Sequence, residues 1–370
     1  MSFVFAHPLL GPASPLGDAD QSLIAGWMRE EYNAPIASRG WTASGARLAL
    51  DHLPGRIVDM LKGHDLALGS AVDRTFRKTY LVGTDPAYAA ACGLRPLFEE
   101  MLIGTPCEAI DSTEFAYYAR QAVNADCLVI VLAALETPWR SLEATVAARA
   151  LGATTLVLAA GADARYDDLS SWSWRAAPPI HPIAAPSLLL AMAYRLALSM
   201  GAQNGVAADR LAQLEAALGD MPGQLQHAFI PMNPDTAIAS RLAAARHIVV
   251  AGNGAARAVV AASAQWFSEI LARPVTQCGL EALADMASDP SIATLVIVPN
   301  GLSVRRAQRA LVRRHEDGAI ILVVAEDSPL NALGHCACMT LPAMIERLSA
   351  LVYLSAGQRL ACALAERGQP

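Results

Sequence analysis

The sequence predicts an α/β protein made of two tandem flavodoxin-like domains with parallel sheets, because one pattern of strands and turns occurs twice along the chain. Gly83 ends the run Tyr80-Leu-Val-Gly83, and Gly252 ends a similar run 169 positions later. The run Leu-Val-Ile-Val begins at Leu128 and again at Leu295, 167 positions later. Each run is a short apolar segment of the strand type, and helical sequence separates one run from the next. This alternation is typical of parallel sheets covered by helices on both faces.

The same pattern locates the individual elements. In the first half it predicts strands near 79–83, 107–110, 127–132 and 155–159, and helices near 86–103, 113–122 and 138–151. In the second half it predicts strands near 247–251, 274–276, 294–298 and 319–324. Further helices are expected over 22–39, 44–61, 183–245 and 342–367, with breaks at Pro54-Gly55 and at Met221-Pro222-Gly223.

These elements divide the chain into three segments. Residues 1–70 hold a loose lead-in, rich in Pro and Gly over 1–20, followed by helices. Residues 71–215 are predicted to form the first α/β domain, and residues 216–370 the second, closed by the C-terminal helix. A predicted helix carries five arginines, which we interpret as a solvated face or a subunit contact: Arg305, Arg306, Arg309, Arg313 and Arg314.

Composition limits the classes of function. Hydrophobic residues make up 54% of the 370 residues and charged residues 17%, which is ample for two buried cores. The longest apolar stretch, Ile183 to Met200, contains Pro186 and Arg195 and is shorter than the roughly 20 residues of a membrane span, so we predict a buried helix and no membrane association. A net charge of −6 disfavours nucleic acid as a partner. No signal peptide is evident at the N-terminus.

The seven cysteines are scattered through apolar surroundings. This distribution favours free thiols in a reducing compartment, so we expect a cytoplasmic protein. The fragment His335-Cys336-Ala-Cys338 lacks a second ligand pair at zinc spacing, and no metal site is predicted.

Ligands of open α/β sheets bind beyond the carboxyl ends of the strands. In the first half these positions are the turn Gly83-Thr84-Asp85 and the stretch from Ala133 to Ser141, which contains Thr137. In the second half they are Gly252-Asn253-Gly254 and the stretch 299–303. A phosphate is well placed where a strand turns into a helix, and hydroxyl groups complete such a site. Thr84, Thr137 and Ser141 are therefore candidate phosphate or sugar contacts, although serine and threonine also serve there as helix caps.

The run Gly252-Asn-Gly254-Ala-Ala-Arg257 resembles a dinucleotide fingerprint only in part. Its third position is Arg257 rather than Gly or Ala, and no acidic residue ends a second strand about 20 residues further on. We therefore predict no nicotinamide or flavin cofactor and interpret these glycines as a tight strand-to-helix turn.

Several motifs together resemble a known family. The series Val-Gly-Thr84, Gly-Thr-Pro-Cys107-Glu, Ser-Thr-Glu114-Phe-Ala-Tyr, Leu128-Val-Ile-Val-Leu and Glu-Thr137-Pro is similar to the sugar isomerase (SIS) fold. In particular it resembles the isomerase half of glucosamine-6-phosphate synthase and the related ketosamine-phosphate deglycases and amino-sugar-phosphate isomerases or deaminases. That family pairs two SIS domains in one chain, as the repeat here predicts. The resemblance covers about residues 27–368 and implies a homodimer that binds a sugar phosphate.

The resemblance also implies a catalytic residue. The family places a carboxylate that moves a proton between C1 and C2 of the sugar near the end of a helix of its second domain, and Glu269 occupies the matching position. Other family features are absent from this sequence. Most hydroxyl residues of the phosphate loop are replaced in the run Ala133 to Ser141, Asp85 stands where the family has Ser, and no His follows Glu281.

We therefore expect a protein that binds a phosphosugar or amino sugar and acts as an aldose–ketose isomerase, deaminase or deglycase, with Glu269 as the base. One alternative is a catalytically degraded SIS module that senses a sugar or serves as a partner subunit. Another is an enzyme whose substrate is an unphosphorylated or cationic sugar, because Asp85 would repel a phosphate.

Overall fold

A computed structural model shows how the two halves are built. It describes residues 7–12, 14–33, 42–62, 66, 68, 72, 74–134, 138–161, 163–179, 181–229, 236–286, 289, 291–316, 320–326 and 337–368.

The first half of the described chain contains a parallel five-stranded sheet. Its strands are β1 (Lys78–Gly83), β2 (Cys107–Asp111), β3 (Cys127–Ala133), β4 (Thr154–Ala159) and β5 (Trp172–Arg175). Their order is β2-β1-β3-β4-β5, the flavodoxin-like arrangement. The central strands β1, β3 and β4 are buried almost throughout, which explains why they are continuous apolar runs. The edge strand β5 was not predicted.

The second half repeats this sheet. Its strands are β6 (His247–Ala251), β7 (Val275–Cys278), β8 (Ile292–Val298), β9 (Ile320–Glu326) and β10 (Ala337–Leu341). Their order is β10-β9-β8-β6-β7, and every pairing is parallel. Read from the opposite edge, as β7-β6-β8-β9-β10, this order matches that of the first sheet strand for strand. The prediction of two tandem flavodoxin-like α/β domains is therefore confirmed.

Helices cover both sheets. Those up to the end of the first sheet are α1 (Asp18–Asn33), α2 (Ala43–Lys62), α3 (Pro86–Met101), α4 (Ser112–Tyr117), α5 (Pro138–Ala150) and α6 (Arg165–Leu169). The following helices are α7 (Ala185–Gln203), α8 (Ala208–Phe229), α9 (Thr236–Ala244), α10 (Ala256–Leu271), α11 (Leu280–Asp285), α12 (Val304–Glu316) and α13 (Ala350–Gly368). Short 3₁₀ helices at Pro182–Ala184 and Glu346–Leu348 precede α7 and α13.

One hydrophobic core joins the two halves. It contains Leu94 of α3, Leu189 of α7, Val259 of α10 and Leu351 of α13, all of which are fully buried. Gly93 allows α3 and α10 to approach closely, because a Cβ at this position would lie 2.5 Å from the Cβ of Ala258. Separate clusters cover the outer faces, one under α1, α4 and α5 and the other under α11 and α12. The two sheets are thus held in one packed body.

Two predicted helix breaks are wrong. Pro54 lies inside α2 and Pro222 inside α8, and both helices continue past them. A proline removes one helical hydrogen bond, but each is followed by residues that anchor the helix in the core. These are Ile57 in α2 and Leu225 in α8, both fully buried.

Two further interpretations need correction. Part of the lead-in is packed rather than loose, since Leu9 is 0% and Leu16 4% exposed beneath the outer face of the first sheet. Arg314 is not on a solvated face, because it is fully buried and donates hydrogen bonds to the carbonyl oxygen of Met286 (3.0 Å) and to Thr294 Oγ1 (3.4 Å).

The structure does not settle the predicted domain boundary. The predicted division between residues 215 and 216 falls within α8, which packs on both α7 and α13, and it stays a prediction. Among the described residues, one helical segment, Pro182–Gln203, is long and apolar enough to cross a membrane, but 89% of its apolar window is buried inside the protein.

Candidate functional site

The turn between β1 and α3 has an unusual local structure. A Cβ on Gly83 would lie 2.6 Å from the carbonyl carbon of Ala87, so the start of α3 requires a glycine here. The hydroxyl of Thr84 is buried and has no hydrogen-bond partner among the residues that the structure describes. Asp85 has φ 51° and ψ −118°, a conformation that a residue with a side chain rarely adopts and that costs about 1–3 kcal/mol. Its side chain does not cap α3. An orphan hydroxyl and local strain are both typical of ligand sites.

Of the other two predicted contacts of the first half, the structure describes only Ser141. Thr137 lies outside the described residues. Ser141 is 2% exposed in α5, and its hydroxyl is hydrogen-bonded to the buried side chain of Tyr166. This placement leaves the Ser141 hydroxyl engaged with the protein itself, and its role as a ligand contact stays a prediction.

The turn between β6 and α10 is the counterpart in the second half. Gly252 is required by close packing, since a Cβ there would lie 2.9 Å from the carbonyl oxygen of Ile297. Gly254 has φ +63°. The Asn253 side chain fixes the turn to the start of α11, donating to Glu281 Oε2 (3.0 Å) and accepting from the amide of Leu280 (3.3 Å). In this structure Asn253 therefore has a structural role.

A cavity of about 620 Å³ opens beside this second turn. It lies between the two halves, because its walls come from α3 on one side and from the β6–α10 turn, α10 and the end of β7 on the other. The lining residues are Tyr88, Cys92, Gly252, Asn253, Gly254, Arg257, Val260, Ala261, Gln277, Cys278 and Gly279. Three predicted site residues, Gly252, Asn253 and Gly254, are thus brought together. Gly83, Thr84, Asp85 and Glu269 are not among the residues that line this cavity.

Glu269 lies at the other end of α10. Twelve residues separate it from Arg257, which corresponds to about 18 Å along the helix axis. Its side chain is exposed, and Oε1 accepts a hydrogen bond from Gln265 Nε2 (3.1 Å). Glu269 therefore cannot act on a ligand held beside Arg257.

His181 is a candidate residue that the sequence reading missed. It precedes the 3₁₀ helix Pro182–Ala184, and its Nδ1 accepts a hydrogen bond from the amide of Ile183 (3.2 Å). Burial lowers the pKa of the imidazole, so the ring is neutral at pH 7. The ring centroid lies 6.4 Å from that of Trp266 in α10. The available signal was a histidine directly before a proline and a long apolar helix.

This contact places Trp266, in the C-terminal part of α10, beside the segment that leaves the first sheet. His181 lies in the segment that leaves the carboxyl end of β5 and enters α7, and this is the same edge as the β1–α3 turn. Glu269 follows Trp266 by three residues, so both lie on one face of α10, about 5 Å apart along the axis. The C-terminal turn of α10 thus reaches across from the second half to the first.

A buried polar cluster supports the outer side of this edge. Glu143 of α5 is 1% exposed and accepts hydrogen bonds from Tyr117 (2.7 Å) and Arg140 (3.0 Å), while His7 Nε2 lies 3.6 Å away. Burial alone would raise the pKa of Glu143, but the hydrogen bonds from His7 and Tyr117 and the charge of Arg140 lower it. The cluster holds an ionised carboxylate and attaches the N-terminal segment to α4 and α5.

The described residues contain no group of three or more His, Cys, Asp or Glu side chains arranged to hold a metal ion. His335 and Cys336 of the fragment considered above lie outside the described part of the chain.

Comparisons with known proteins identify the fold. No family model and no curated protein matches the sequence. Among solved structures, the C-terminal domain of glucosamine-fructose-6-phosphate aminotransferase from Francisella tularensis matches with a TM-score of 0.76 at 14% identity, covering 90% of this chain and 98% of that one. Tagatose-6-phosphate ketose/aldose isomerase from Escherichia coli matches with a TM-score of 0.69 at 16% identity, covering 90% and 95%.

Glucosamine-6-phosphate deaminase from Thermotoga maritima matches with a TM-score of 0.67 at 15% identity, covering 88% of this chain and 95% of that one. At these identities the likeness shows the fold and leaves the reaction open. Each match extends over nearly the whole of both chains, so the likeness includes both sheets and the way they pack. The resemblance seen in the sequence motifs is therefore confirmed at the level of structure: this chain has the double SIS fold of the phosphosugar isomerases.

Proposed function

We propose that this protein binds a sugar phosphate or amino-sugar phosphate at the carboxyl edge of the first sheet and isomerises or deaminates it. The observation that carries the proposal is the meeting of two halves at that edge. The β1–α3 turn brings the buried Thr84 hydroxyl, the start of α7 brings His181, and the last turn of α10 brings Glu269. Solved structures named as sugar-phosphate isomerases and a deaminase share this arrangement of elements, which supports the same class of substrate.

Proton transfer is the chemistry that these groups support. Aldose–ketose isomerisation needs a base that takes the proton from C2 of the open-chain sugar and returns it to C1, so that the atoms of substrate and product balance. Glu269 is an exposed carboxylate at the end of a rigid helix and is accessible to a bound sugar. The neutral imidazole of His181 is suited to exchanging a proton with a sugar oxygen.

A second candidate keeps the site but changes the ligand. Asp85 brings a carboxylate to the first turn of α3, where the helix dipole would otherwise favour an anion. A negative charge at this point weakens phosphate binding and favours the ammonium group of an amino sugar. This observation supports an unphosphorylated amino sugar as the alternative substrate.

The test combines a measurement of sugar binding with a measurement of proton exchange between the sugar and the solvent. Thermal unfolding is measured with fructose 6-phosphate, glucosamine 6-phosphate, glucosamine and inorganic phosphate, since a ligand at 100 times its Kd stabilises the folded state by about 2.7 kcal/mol. Exchange of the proton that the base would move is then followed by NMR in D₂O, at C1 of fructose 6-phosphate, whose C2 is a carbonyl carbon, and at C2 of glucosamine 6-phosphate and glucosamine. We expect stabilisation by a sugar phosphate and proton exchange that falls by about 10²-fold or more in Glu269→Gln.

Glu215→Gln is the matched control, because Glu215 is also an exposed helical glutamate but lies in α8. It should leave exchange unchanged. Stabilisation by glucosamine alone would favour the second candidate. Stabilisation by a sugar phosphate without any proton exchange at C1 or C2 would instead indicate a sensor, and no response to any sugar would refute the proposal.

A further inference from the structure

We infer that the cavity between α3 and the β6–α10 turn is a second ligand site, which takes a small molecule bearing a phosphate monoester. This inference goes beyond the proposed function, because the cavity contains none of the residues assigned to the reaction, and Ala261, its lining residue nearest to Glu269 in α10, lies about 12 Å from Glu269 along the helix axis.

The size and walls of the cavity are those of a small-molecule site. Its volume of about 620 Å³ falls in the range of roughly 300–1,000 Å³ that ligand pockets occupy. It lies beyond the carboxyl ends of β6 and β7, where open α/β sheets bind their ligands. Tyr88 and Cys92 close it from the other half of the protein. A ligand here would be enclosed between the two halves.

The charge of the cavity selects an anion. Arg257 is the one charged side chain among the lining residues, and it is exposed. Within the described part of the chain, no carboxylate forms an ion pair with it. Two carboxylates lie next to the turn: that of Glu281 is held by Asn253 (3.0 Å) and Arg306 (3.8 Å), and that of Glu346 has its Oε1 3.4 Å from the position of a Cβ on Gly254. The Arg257 guanidinium is thus available to a ligand.

The positive charge of Arg257 acts on two residues of the α3 wall. Burial raises the pKa of the Cys92 thiol and of the Tyr88 hydroxyl, and the positive charge of Arg257 opposes both shifts. Arg257 is therefore electrostatically coupled to two residues on the opposite side of the cavity. A planar guanidinium in this position matches the paired oxygens of a phosphate, and the N-terminal end of α10 adds a favourable dipole.

The remaining lining residues favour a ligand that carries a single phosphate on a polar molecule. Arg257 stands where a dinucleotide-binding turn has Gly or Ala for close packing of helix and strand, so this turn lacks the fingerprint of a dinucleotide site. The Tyr88 hydroxyl and the Gln277 amide offer neutral hydrogen-bonding groups for hydroxyls, while Val260 and Ala261 provide an apolar wall. These features suit a phosphorylated sugar or polyol better than a nucleotide.

Two cysteines provide a measurement specific to this cavity. Cys278 lines it, whereas Cys338 is similarly half-buried in β10 and does not. Alkylation of each thiol by iodoacetamide is followed by peptide mass spectrometry on the full chain at mildly alkaline pH, because burial raises the pKa of both thiols. Inorganic phosphate and glucose 6-phosphate are the probes, and sodium chloride of equal ionic strength is the reference.

We expect glucose 6-phosphate to slow alkylation of Cys278 about fivefold or more and to leave Cys338 unchanged, with a smaller effect from inorganic phosphate. Arg257→Gln should abolish the protection. Arg309→Gln, which removes an exposed arginine from α12, should retain it. Ala261→Leu should weaken protection while keeping the charge, because the added methyl groups reduce the cavity volume.

Protection that survives Arg257→Gln, or that Arg309→Gln abolishes equally, would overturn the inference, as would the absence of protection by either probe. Thr84→Val separates this site from the proposed reaction. It should reduce sugar-phosphate binding at the edge of the first sheet and leave Cys278 protection intact, so each proposal can fail without the other.

Discussion

The two halves share a topology but differ at matching positions. Gly83 and Gly252, Asp85 and Gly254, and Glu100 and Glu269 are each 169 positions apart. At the middle pair, both residues have a positive φ, 51° in Asp85 and 63° in Gly254. The fold therefore requires this conformation, glycine provides it without strain in the second half, and the first half retains an aspartate at a cost of stability. Such a cost points to function at the first turn.

The third pair differs in its surroundings. Glu100 Oε1 accepts a hydrogen bond from Arg210 (2.7 Å), and Oε2 accepts one from Arg347 (3.2 Å). Burial alone would raise the pKa of Glu100, but these two arginines lower it. Glu269 is exposed and interacts with Gln265 of its own helix. One copy of the glutamate thus holds the halves together, and the other is exposed at the surface.

The largest expected effect concerns Glu143, the buried carboxylate of α5. The corresponding helix of the second half, α12, buries a cation, Arg314, instead. Glu143→Ala should lower the free energy of unfolding by about 3–5 kcal/mol, since it leaves Arg140 and Tyr117 without their buried acceptor. Urea unfolding at pH 7 measures this loss. Glu143→Gln, which keeps the shape, should lose less. A change below 1 kcal/mol in Glu143→Ala would show that the cluster contributes little.

The comparison of the two turns predicts that exchanging their residues changes the stability of the protein in opposite directions. Asp85→Gly should stabilise the protein by about 1 kcal/mol, because it relieves the strained backbone. Gly254→Asp should destabilise it by about 1–3 kcal/mol, with added repulsion from Glu346, whose Oε1 lies 3.4 Å from the position of a Cβ. Melting temperatures of both variants test this pair. Destabilisation by Asp85→Gly would mean that the aspartate makes a stabilising contact in solution.

The glutamate pair predicts unequal effects on stability. Glu100→Gln should cost about 1 kcal/mol, since it weakens two partly exposed ion pairs between the halves. Glu269→Gln should change stability by less than about 0.5 kcal/mol, as is usual for an exposed side chain. Chemical denaturation of the two variants side by side gives the comparison, and equal losses would contradict the assignment of Glu269 as an accessible group.

The smallest expected effect is a loss of stability at acidic pH. The pKa values of Glu143 and Glu100 are lowered in the folded state from an ordinary value of 4.5. Their stabilising contribution is therefore complete above about pH 4.5 and decreases as the pH falls through the lowered values. The free energy of unfolding of the wild-type protein should decrease below pH 4.5 more steeply than that of Glu143→Gln. Parallel profiles would exclude Glu143 as a source of acid sensitivity.

Most of the fold was predictable from sequence because its central strands are buried on both faces and contain uninterrupted apolar residues. The edge strand β5, Trp172–Arg175, was missed because it is only four residues long and half exposed. Pro54 and Pro222 were interpreted as breaks because local propensity gives no information on the packing that keeps α2 and α8 continuous.

The candidate sites were predictable only in part. Gly252, Asn253 and Gly254 were recognised from their place after a strand, but the α3 wall opposite them depends on how the two halves pack. His181 was missed for the same reason, since its contact with Trp266 links residues 85 positions apart in different halves. Sequence pattern identifies turns at the ends of strands, whereas the partners of those turns are set by tertiary structure.

The position of α3 has a consequence for regulation. This helix begins at the strained β1–α3 turn and, within its first two turns, supplies Tyr88 and Cys92 to the cavity. The same rigid segment therefore touches both proposed sites. If a ligand in the cavity changes affinity at the edge of the first sheet, thermodynamic linkage requires the substrate to change the affinity of the cavity by the same factor.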